Sequence, residues 1–474
     1  MSSSAPSAST RRRSETLNRP LALLVAGTFF MENLDGTIIA TAAPAIARDL
    51  RVDPVDVNLA MTAYLVTIAV GIPISGWLTD RFGGRRILVT AIAVFTLASV
   101  LCAVSVNLPM LVAMRVLQGV GGALMVPVGR LVVLRVTEKR DLLDAIAFLT
   151  WPALVAPVIA PALGGWITTV ASWHWIFLIN APLGAVALVV ALRVVPALPG
   201  GRMPPLDWRG FGLCALTLAA LLLGLELVGP QGGGGLPAAA TLVGAAVLGM
   251  VTALWLRRAA HPLLRFGALR LQSFRVSNVA GGVYRMLISA VPFLLPLMFQ
   301  VGFGWSPVRA GLLVLLLFLG NVAIKPATSP LIRRFGFRTV LIASIVGGLL
   351  AFAALAFVRP GTPLWLIAPV LVLSGVFRSV GFSAYNSLQF ADVEQAGMTD
   401  ANTLASTLQQ VAIGLGVAIG AVILRLVDVV ARPGTLGPEL PYGIAFGVLA
   451  ALMLHPLVAA LLLHRAAGDE VAGR

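Results

Sequence analysis

The chain has 474 residues, of which 58% are hydrophobic and only 11% are charged, and its mean hydropathy is +0.95. This composition excludes a soluble globular domain, which could not solvate so apolar a surface. The net charge of +15 would indicate a nucleic-acid partner in a soluble chain, but here the basic residues flank apolar runs. Both cysteines, Cys102 and Cys214, lie inside apolar runs without a CxxC or Cys/His cluster. We therefore expect no nucleic acid, metal or cofactor.

The first residues are polar, rich in serine and basic, and an apolar run follows them. A cleaved signal peptide is the alternative interpretation of this start. It is disfavoured because Glu32 and Asp35 interrupt the apolar run, which extends well beyond a normal signal sequence. We predict that residues 1–19 form a cytoplasmic tail.

Fourteen apolar runs follow, each long enough to cross a bilayer as a helix. Their spacing predicts an all-α integral membrane protein arranged as six, two and six transmembrane helices. The predicted units are an N-terminal six-helix bundle (20–195), two inserted helices with flanking loops (196–272), a C-terminal six-helix bundle (273–464) and a cytoplasmic tail (465–474).

Basic residues concentrate on one side of these runs. The largest cluster follows the eighth run and contains Arg257, Arg258, Arg265, Arg270 and Arg275, whereas the loop 229–237 has no basic residue. By the positive-inside rule, both termini are expected on the cytoplasmic side of a bacterial inner membrane.

An internal repeat supports this arrangement. The segment GWLTDRFGGR at Gly76 to Arg85 recurs as SPLIRRFGFR at Ser329 to Arg338, at a constant offset of 253 residues. Parallel six-helix repeats would place these loops six helices apart, but here eight helices separate them. The sequence therefore predicts that two helices are inserted between the halves.

The loop between the second and third helices carries GWLTDRFGGRRIL. Gly76 permits close helix approach, Asp80 can accept hydrogen bonds from a helix N-terminus, and Arg81 and Arg85 supply charge. With Gly83 at the turn, these residues are candidates for a latch between the halves. The alternative is a tight turn with positive-inside charge, which does not account for Asp80 or the glycines.

Two further motifs lie within helices. LVAMRVLQGVGGA places Arg115 in the middle of the fourth helix, where a lone charge costs roughly 2.5–3.5 kcal/mol and needs a partner. PVIAPALGG in the fifth helix contains Pro157, Pro161, Gly164 and Gly165, which predict a bend between sliding helices.

FMENLDGT in the first helix places Glu32 and Asp35 three residues apart on one helical face. A buried carboxyl group whose surroundings alternate between wet and dry can exchange a proton, so both are candidate proton-coupling residues, with Asp35 preferred and Arg115 tuning them. The alternative is a carboxylate pair that Arg115 or Arg130 neutralises, without a transport role. Three further cations inside helices, Arg285, Lys325 and Arg378, are candidate cavity charges.

These motifs together resemble the major facilitator superfamily, specifically its 14-span drug:proton antiporters, over nearly the whole chain. The sequence departs from the family pattern at Gly84, where a basic residue is usual, and at Ala160, where glycine is common. The resemblance implies two rocking bundles around a central cavity, protons as the coupling ion and drug-like substrates.

The predicted function is therefore proton-coupled export of amphiphilic, cationic small molecules by alternating access. A dedicated exporter of one endogenous metabolite is the alternative, and a periplasmic adaptor as partner is left open. An intramembrane enzyme is disfavoured because the chain lacks HExxH and GxSxG motifs, and no P-loop motif points to ATP as the energy source. A channel is disfavoured because paired repeats with a bend motif suit alternating access.

Overall fold

The computed structural model describes residues 19–53, 56–197, 200–228, 235–430, 437 and 439–473. Of the predicted N-terminal tail 1–19, only Arg19 is among the described residues, and it begins the first helix. The described residues form helices and connecting turns without any strand, as the composition predicts.

Fourteen helical segments carry the fold, and we number them in chain order. The first six are α1 Arg19–Leu50, α2 Asn58–Phe82, α3 Gly84–Ala103, α4 Leu108–Val136, α5 Leu142–Val170 and α6 Trp175–Val194. The inserted pair is α7 Trp208–Val228 and α8 Leu236–Arg258. The last six are α9 Gln272–Gly302, α10 Pro307–Ala323, α11 Lys325–Ala356, α12 Leu364–Leu388, α13 Met398–Val430 and α14 Leu440–Leu461.

Thirteen of these helices, within the described ranges, are long and apolar enough to cross a membrane. The exception is α10, whose apolar part is shorter. However, α11 is interrupted at Gly336, which has non-helical backbone angles. The eleven residues of α11 before Gly336 therefore continue the crossing begun by α10, and the residues after Gly336 form the next crossing. The arrangement is therefore consistent with the fourteen predicted crossings.

The internal repeat is visible in the backbone. Gly83, between α2 and α3, has φ 90° and ψ 139°, and Gly336, 253 residues later, has φ 79° and ψ 161°. Both values lie in a region that is accessible essentially to glycine alone. Pro73 and Pro326, also 253 residues apart, lie where a short irregular turn interrupts each preceding helix. We call the end of the molecule at Gly83 and Gly336 the basic end.

Helix packing repeats in the same way. In the first half α1 packs along α5, α3 along α4, α2 along α4, and α3 along α6. In the second half α9 packs along α13, α11 along α12, α10 along α12, and α11 along α14. Each pair in the second half is the first-half pair moved on by eight helices, so the inserted pair leaves the two six-helix bundles intact.

The inserted helices pack against each other, and α7 also contacts α2 of the first bundle and α13 of the second. Thr62 in α2 donates a 2.8 Å hydrogen bond to Glu226 in α7. On the other side, a Cβ placed on Gly414 in α13 would lie 3.2 Å from Leu222 Cδ2 and 3.4 Å from Leu225 Cδ1 of α7. The pair therefore lies across one seam between the bundles.

The C-terminal segment, predicted as a tail, packs on the protein. A short helix, Asp469–Ala472, buries Val471 and Ala472 in the core of the second bundle. Glu470 forms an ion pair with Lys139 of the first bundle at 3.0 Å. This segment therefore adds a contact between the bundles at the basic end.

Candidate functional site

Asp35 lies in a buried polar pocket inside the first bundle. Its side chain is fully buried and forms an ion pair with Arg115 from α4, whose side chain is also fully buried. The other carboxylate oxygen, Oδ1, accepts hydrogen bonds from Gln118 Nε2 and Asn180 Nδ2, both at 2.9 Å. Arg115 thus has the acidic partner that the cost of a charge in lipid requires.

Arg115 makes further contacts within the same pocket. Its Nη1 donates to Gln118 Oε1 at 2.7 Å, and its guanidinium carbon lies 3.9 Å from the centroid of the Tyr64 ring. Ser99 accepts from Gln118 at 2.5 Å and from Asn180 at 3.2 Å. The two opposite charges are therefore paired in this pocket, although Arg115 Nη2 and Asn180 Oδ1 are buried without a hydrogen-bond partner.

Sequence reasoning did not assign a role to Gln118, Asn180, Ser99 or Tyr64. Gln118 follows Arg115 by three residues, which places both on one face of α4. That spacing could have identified it as a partner. Asn180 and Ser99 are polar residues in apolar helices α6 and α3, but their spacing in the sequence does not indicate that they meet Asp35.

Glu32, one turn before Asp35, faces a different space. It lines a cavity of about 410 Å³ between the two bundles, and its Oε2 is buried without a hydrogen-bond partner. Apolar lining comes from both bundles, including Phe29, Ile68, Ile288, Phe318 and Phe382. The two carboxylates of the first helix therefore differ: Asp35 is paired inside one bundle, whereas Glu32 is open to the cavity.

The three predicted cavity cations belong to the second bundle. Arg378 lines the cavity, and its Nη1 is buried without a partner. Lys325 is 6% exposed and donates to Ser383 Oγ at 2.5 Å. Arg285 is 1% exposed and donates to Asn386 Oδ1 at 3.0 Å and to the Ser277 carbonyl oxygen at 2.8 Å.

Arg130 in α4 also lines the cavity and links the bundles. Its Nε donates to Asn402 Oδ1 in α13 at 2.8 Å, and its Nη2 donates to Ser406 of the same helix. Asn402 in turn donates to the Pro127 carbonyl oxygen at 3.0 Å. Arg130 therefore does not neutralise the acidic pair of α1, and only Arg115 pairs with Asp35.

The predicted latch residues lie at the basic end, where α2 meets α13. Asp80 forms an ion pair with Arg135 of α4 at 2.5 Å and accepts a 3.1 Å hydrogen bond from Thr399 at the start of α13. Arg135 also donates to Thr399. A Cβ placed on Gly76 would lie 2.3 Å from Thr403 Oγ1, so glycine is what permits this close approach.

The arginines of the same loop are placed differently. Arg81 is exposed, and Arg85 donates to the Leu192 carbonyl oxygen within its own bundle. The cation that pairs with Asp80 is Arg135, which sequence reasoning did not identify because it lies 55 residues further along the chain. Gly84 is buried, and a Cβ there would lie 2.9 Å from Val132. The close packing therefore leaves no room for the basic residue that is usual at this position in the family.

The repeated loop forms the second contact of this end. Arg333, at the position equivalent to Asp80, forms a 2.9 Å ion pair with Asp144 at the start of α5. Lys325 also reaches Thr150 of α5 at 3.4 Å. Both halves of the repeat thus join the bundles at the basic end.

The predicted bend motif lies in α5, which is helical from Leu142 to Val170. A Cβ on Gly164 would lie 2.3 Å from Thr41 Oγ1, so α5 packs closely on α1 there, whereas Gly165 has open space. Pro157 lines the cavity. The bend itself stays a prediction.

Residues 25–421 match the family model described as Major Facilitator Superfamily. The chain is 37% identical over 407 residues to MdtD of Escherichia coli O127:H6, a protein named for multidrug resistance, covering 85% of each chain. A protein of the same name from Serratia proteamaculans is 38% identical over 411 residues, covering 85% of this chain and 84% of that one.

A solved structure shows the same fold. The human organic anion transporter MFSD10 (TETRAN) superimposes with a TM-score of 0.68, covering 94% of this chain and 99% of that chain, at 15% sequence identity. At this identity the likeness concerns the fold alone.

The family match and the similarity to MdtD proteins define a multi-pass membrane transporter rather than an enzyme. The chain belongs to the Major Facilitator Superfamily.

Proposed function

We propose that this protein exports amphiphilic small molecules across the bacterial cytoplasmic membrane in exchange for protons. Its similarity to MdtD proteins supports multidrug efflux as the activity. The concentration of arginines at one side supports a cytoplasmic location for the basic end and for both termini. A dedicated exporter of one endogenous metabolite would have the same architecture and stays the alternative.

The observation that carries this proposal is the position of Glu32. This carboxyl group lines the cavity between the bundles with one oxygen unpartnered, whereas Asp35 is fully engaged by Arg115, Gln118 and Asn180. Proton exchange needs a group that water can reach in at least one state. Glu32 therefore carries the proton in this proposal, and the Asp35–Arg115 pair sets the electrostatic field around it.

The contacts at the basic end support a conformational cycle. Arg130, Asp80 and Arg333 each join one bundle to the other there. With that end in the cytoplasm, the structure corresponds to a state closed to the cytoplasm. Release of these contacts, together with rocking of the bundles, would open the cavity to the cytoplasm.

A vesicle experiment tests the coupling. Purified protein in proteoliposomes containing an internal pH indicator is given an inward or outward gradient of rhodamine 6G or fluorescein, two dyes with the same xanthene core. We expect dye movement to drive proton movement in the opposite direction. In Glu32→Gln, dye should still equilibrate down its gradient while coupled proton movement is lost, since the exchangeable group is gone.

Glu138→Gln is the matched control, because Glu138 is an exposed glutamate at the basic end. It should retain coupled proton movement. Uphill dye transport at the full wild-type rate in Glu32→Gln would falsify the assignment of Glu32. Separately, comparing resistance to many unrelated toxicants with and without the gene distinguishes broad efflux from export of one metabolite.

The charge of the cargo is a separate matter. The prediction of a cationic substrate rests on the family resemblance and on the acidic groups of the first helix, Glu32 and Asp35. With Asp35 occupied by Arg115, only Glu32 lines the cavity. The cationic cargo stays a prediction, and the other residues of the cavity weigh against it.

A further inference from the structure

The central cavity contains more positive than negative charge. Arg130 and Arg378 line it directly. Lys325 and Arg285 lie immediately behind, hydrogen-bonded to the lining residues Thr150 and Asn386, respectively. Against these four cations, Glu32 is the single acidic residue among those lining the cavity.

None of the four cations has an acidic partner within the described part of the chain. The ion pairs found there involve other basic residues: Arg115, Arg135, Lys139, Arg140, His174, Arg265 and Arg333. Three of the four cations are hydrogen-bonded to neutral groups: Lys325 to Ser383, Arg130 to Asn402 and Arg285 to Asn386. Isolated buried charges are costly unless they are paired, and intramembrane charges mark substrate pathways.

Unused hydrogen-bonding groups also surround the cavity. Nη1 of Arg378 and Nε of Arg285 are buried donors without an acceptor. Asn321, another lining residue, has both side-chain polar atoms unsatisfied. Arg378 itself lies with its guanidinium carbon 5.9 Å from the centroid of the apolar Phe318 ring. Charged donors therefore lie beside an apolar wall.

We infer that the cavity binds amphiphiles that carry an anionic group, with Arg378, Arg130 and Lys325 as its counter-charges. A carboxylate, sulfonate or phosphate monoester would supply the missing acceptors, since each forms charge-assisted hydrogen bonds with guanidinium and ammonium groups. The apolar part of the ligand would contact Phe318, Phe382 and Ile288. This inference rests on the proposed function for its transport role and names the substrate class of the same cavity.

Equilibrium binding tests the charge preference without any gradient. Purified protein in a neutral glycoside detergent, free of anionic lipid, is titrated with octanesulfonate or octyltrimethylammonium, and apparent Kd values are taken from the shift in Tm. The two probes share an eight-carbon tail and differ in the sign of the head group. We expect octanesulfonate to bind at least about tenfold more tightly, as charge-assisted hydrogen bonds predict.

Variants identify the site. Arg378→Gln should weaken octanesulfonate binding by about tenfold, with no loss for the cationic probe, whereas Arg378→Lys should retain most of the affinity. Lys325→Gln serves as a second neutralising variant should Arg378→Gln fail to fold. Arg193→Gln, which removes an exposed arginine at the end of α6, is the control and should bind like the wild type.

Several results would overturn the inference. They are equal or tighter binding of octyltrimethylammonium, no stabilisation by either probe, or octanesulfonate affinity unchanged in both Arg378→Gln and Lys325→Gln. Failure of the proposed function looks different. Octanesulfonate that binds but drives no proton movement in vesicles contradicts proton coupling, whereas coupled transport of cationic dyes alone contradicts the anionic preference.

Discussion

The Asp35 pocket of the first bundle and the cations of the second bundle differ in how buried charge is balanced. In the first bundle, Arg115 is paired with Asp35, and Gln118 and Asn180 complete the carboxylate's hydrogen bonds. In the second bundle, Arg285 and Lys325 are buried and Arg378 is partly buried, and none of the three has an acidic partner among the described residues. Yet both sets of helices come from the same repeat.

This difference indicates a division of roles. A buried ion pair favours one geometry, because separating the two groups would leave each charge unpaired in a low-dielectric interior. Unmatched charges next to a cavity are available to a ligand. The first bundle therefore carries a fixed electrostatic element, and the second carries most of the groups that a cargo can satisfy.

Neutralising Asp35 should have the largest effect on stability. Asp35→Asn leaves the Arg115 guanidinium buried without its counter-charge, and we expect the detergent-solubilised protein to lose about 3–5 kcal/mol of stability. The double variant Asp35→Asn/Arg115→Gln should recover much of this loss, since no unpaired charge remains. Thermal unfolding with Asp392→Asn, an exposed aspartate, as control measures both. Additive losses in the double variant would contradict a coupled pair.

The repeated turn should produce matched losses of intermediate size. Gly83→Ala and Gly336→Ala each force a Cβ into a backbone region that favours glycine, at a cost of about 2 kcal/mol. Gly165→Ala is the control, because its site is helical with open space around it, and it should be neutral or slightly stabilising. Unequal losses at Gly83 and Gly336 would show that the two bundles differ in their turns as well as in their charges.

Arg130 connects α4 of the first bundle to α13 of the second. Its loss should mainly shift the equilibrium between closed and open conformations. Arg130→Gln removes the charged contacts to Asn402 and Ser406 at a net cost of about 1 kcal/mol. In protein that carries Ser406→Cys as a labelling site, we expect Arg130→Gln to make the introduced thiol react several-fold faster with a membrane-impermeant maleimide added at the basic end. An unchanged labelling rate would mean that other contacts keep this end closed. Arg193→Gln is again the control.

Removing a cavity cation should have the smallest effect on stability. Arg378→Met replaces a partly buried, unpaired charge by an apolar side chain. The free energy of unfolding of the solubilised protein should therefore stay within about 1 kcal/mol of the wild-type value or rise slightly. Transport of anionic probes should nevertheless fall. A loss as large as that of Asp35→Asn would contradict the contrast between the bundles.

Much of the fold was predictable because lipid imposes a simple pattern on sequence. Helix number, the inserted pair and the repeat follow from apolar runs and from one motif at an offset of 253 residues. The pairing of Asp35 with Arg115 was among the predicted alternatives, because an intramembrane charge must find a partner. These features depend on local composition, which one sequence displays.

The contacts between distant helices were not predictable. Arg130 meets Asn402 across 272 positions and Asp80 meets Arg135 across 55. Helical periodicity shows which residues share a face, but the face of another helix that they meet depends on tertiary packing. For the same reason, the sequence predicted Glu32 and Asp35 as one acidic pair, whereas packing directs one into a bundle and the other to the cavity.

The inserted helix α7 contacts α2 on one bundle and α13 on the other. It therefore bridges the interface along which the bundles would move against each other. In the proposed rotation of the bundles, α7 would either move with one bundle and slide along the other, or bend. A larger side chain at Gly414 would leave little room for such movement, because a Cβ there would already lie 3.2 Å from Leu222. We therefore expect the inserted pair to limit the amplitude of the proposed rotation of the bundles.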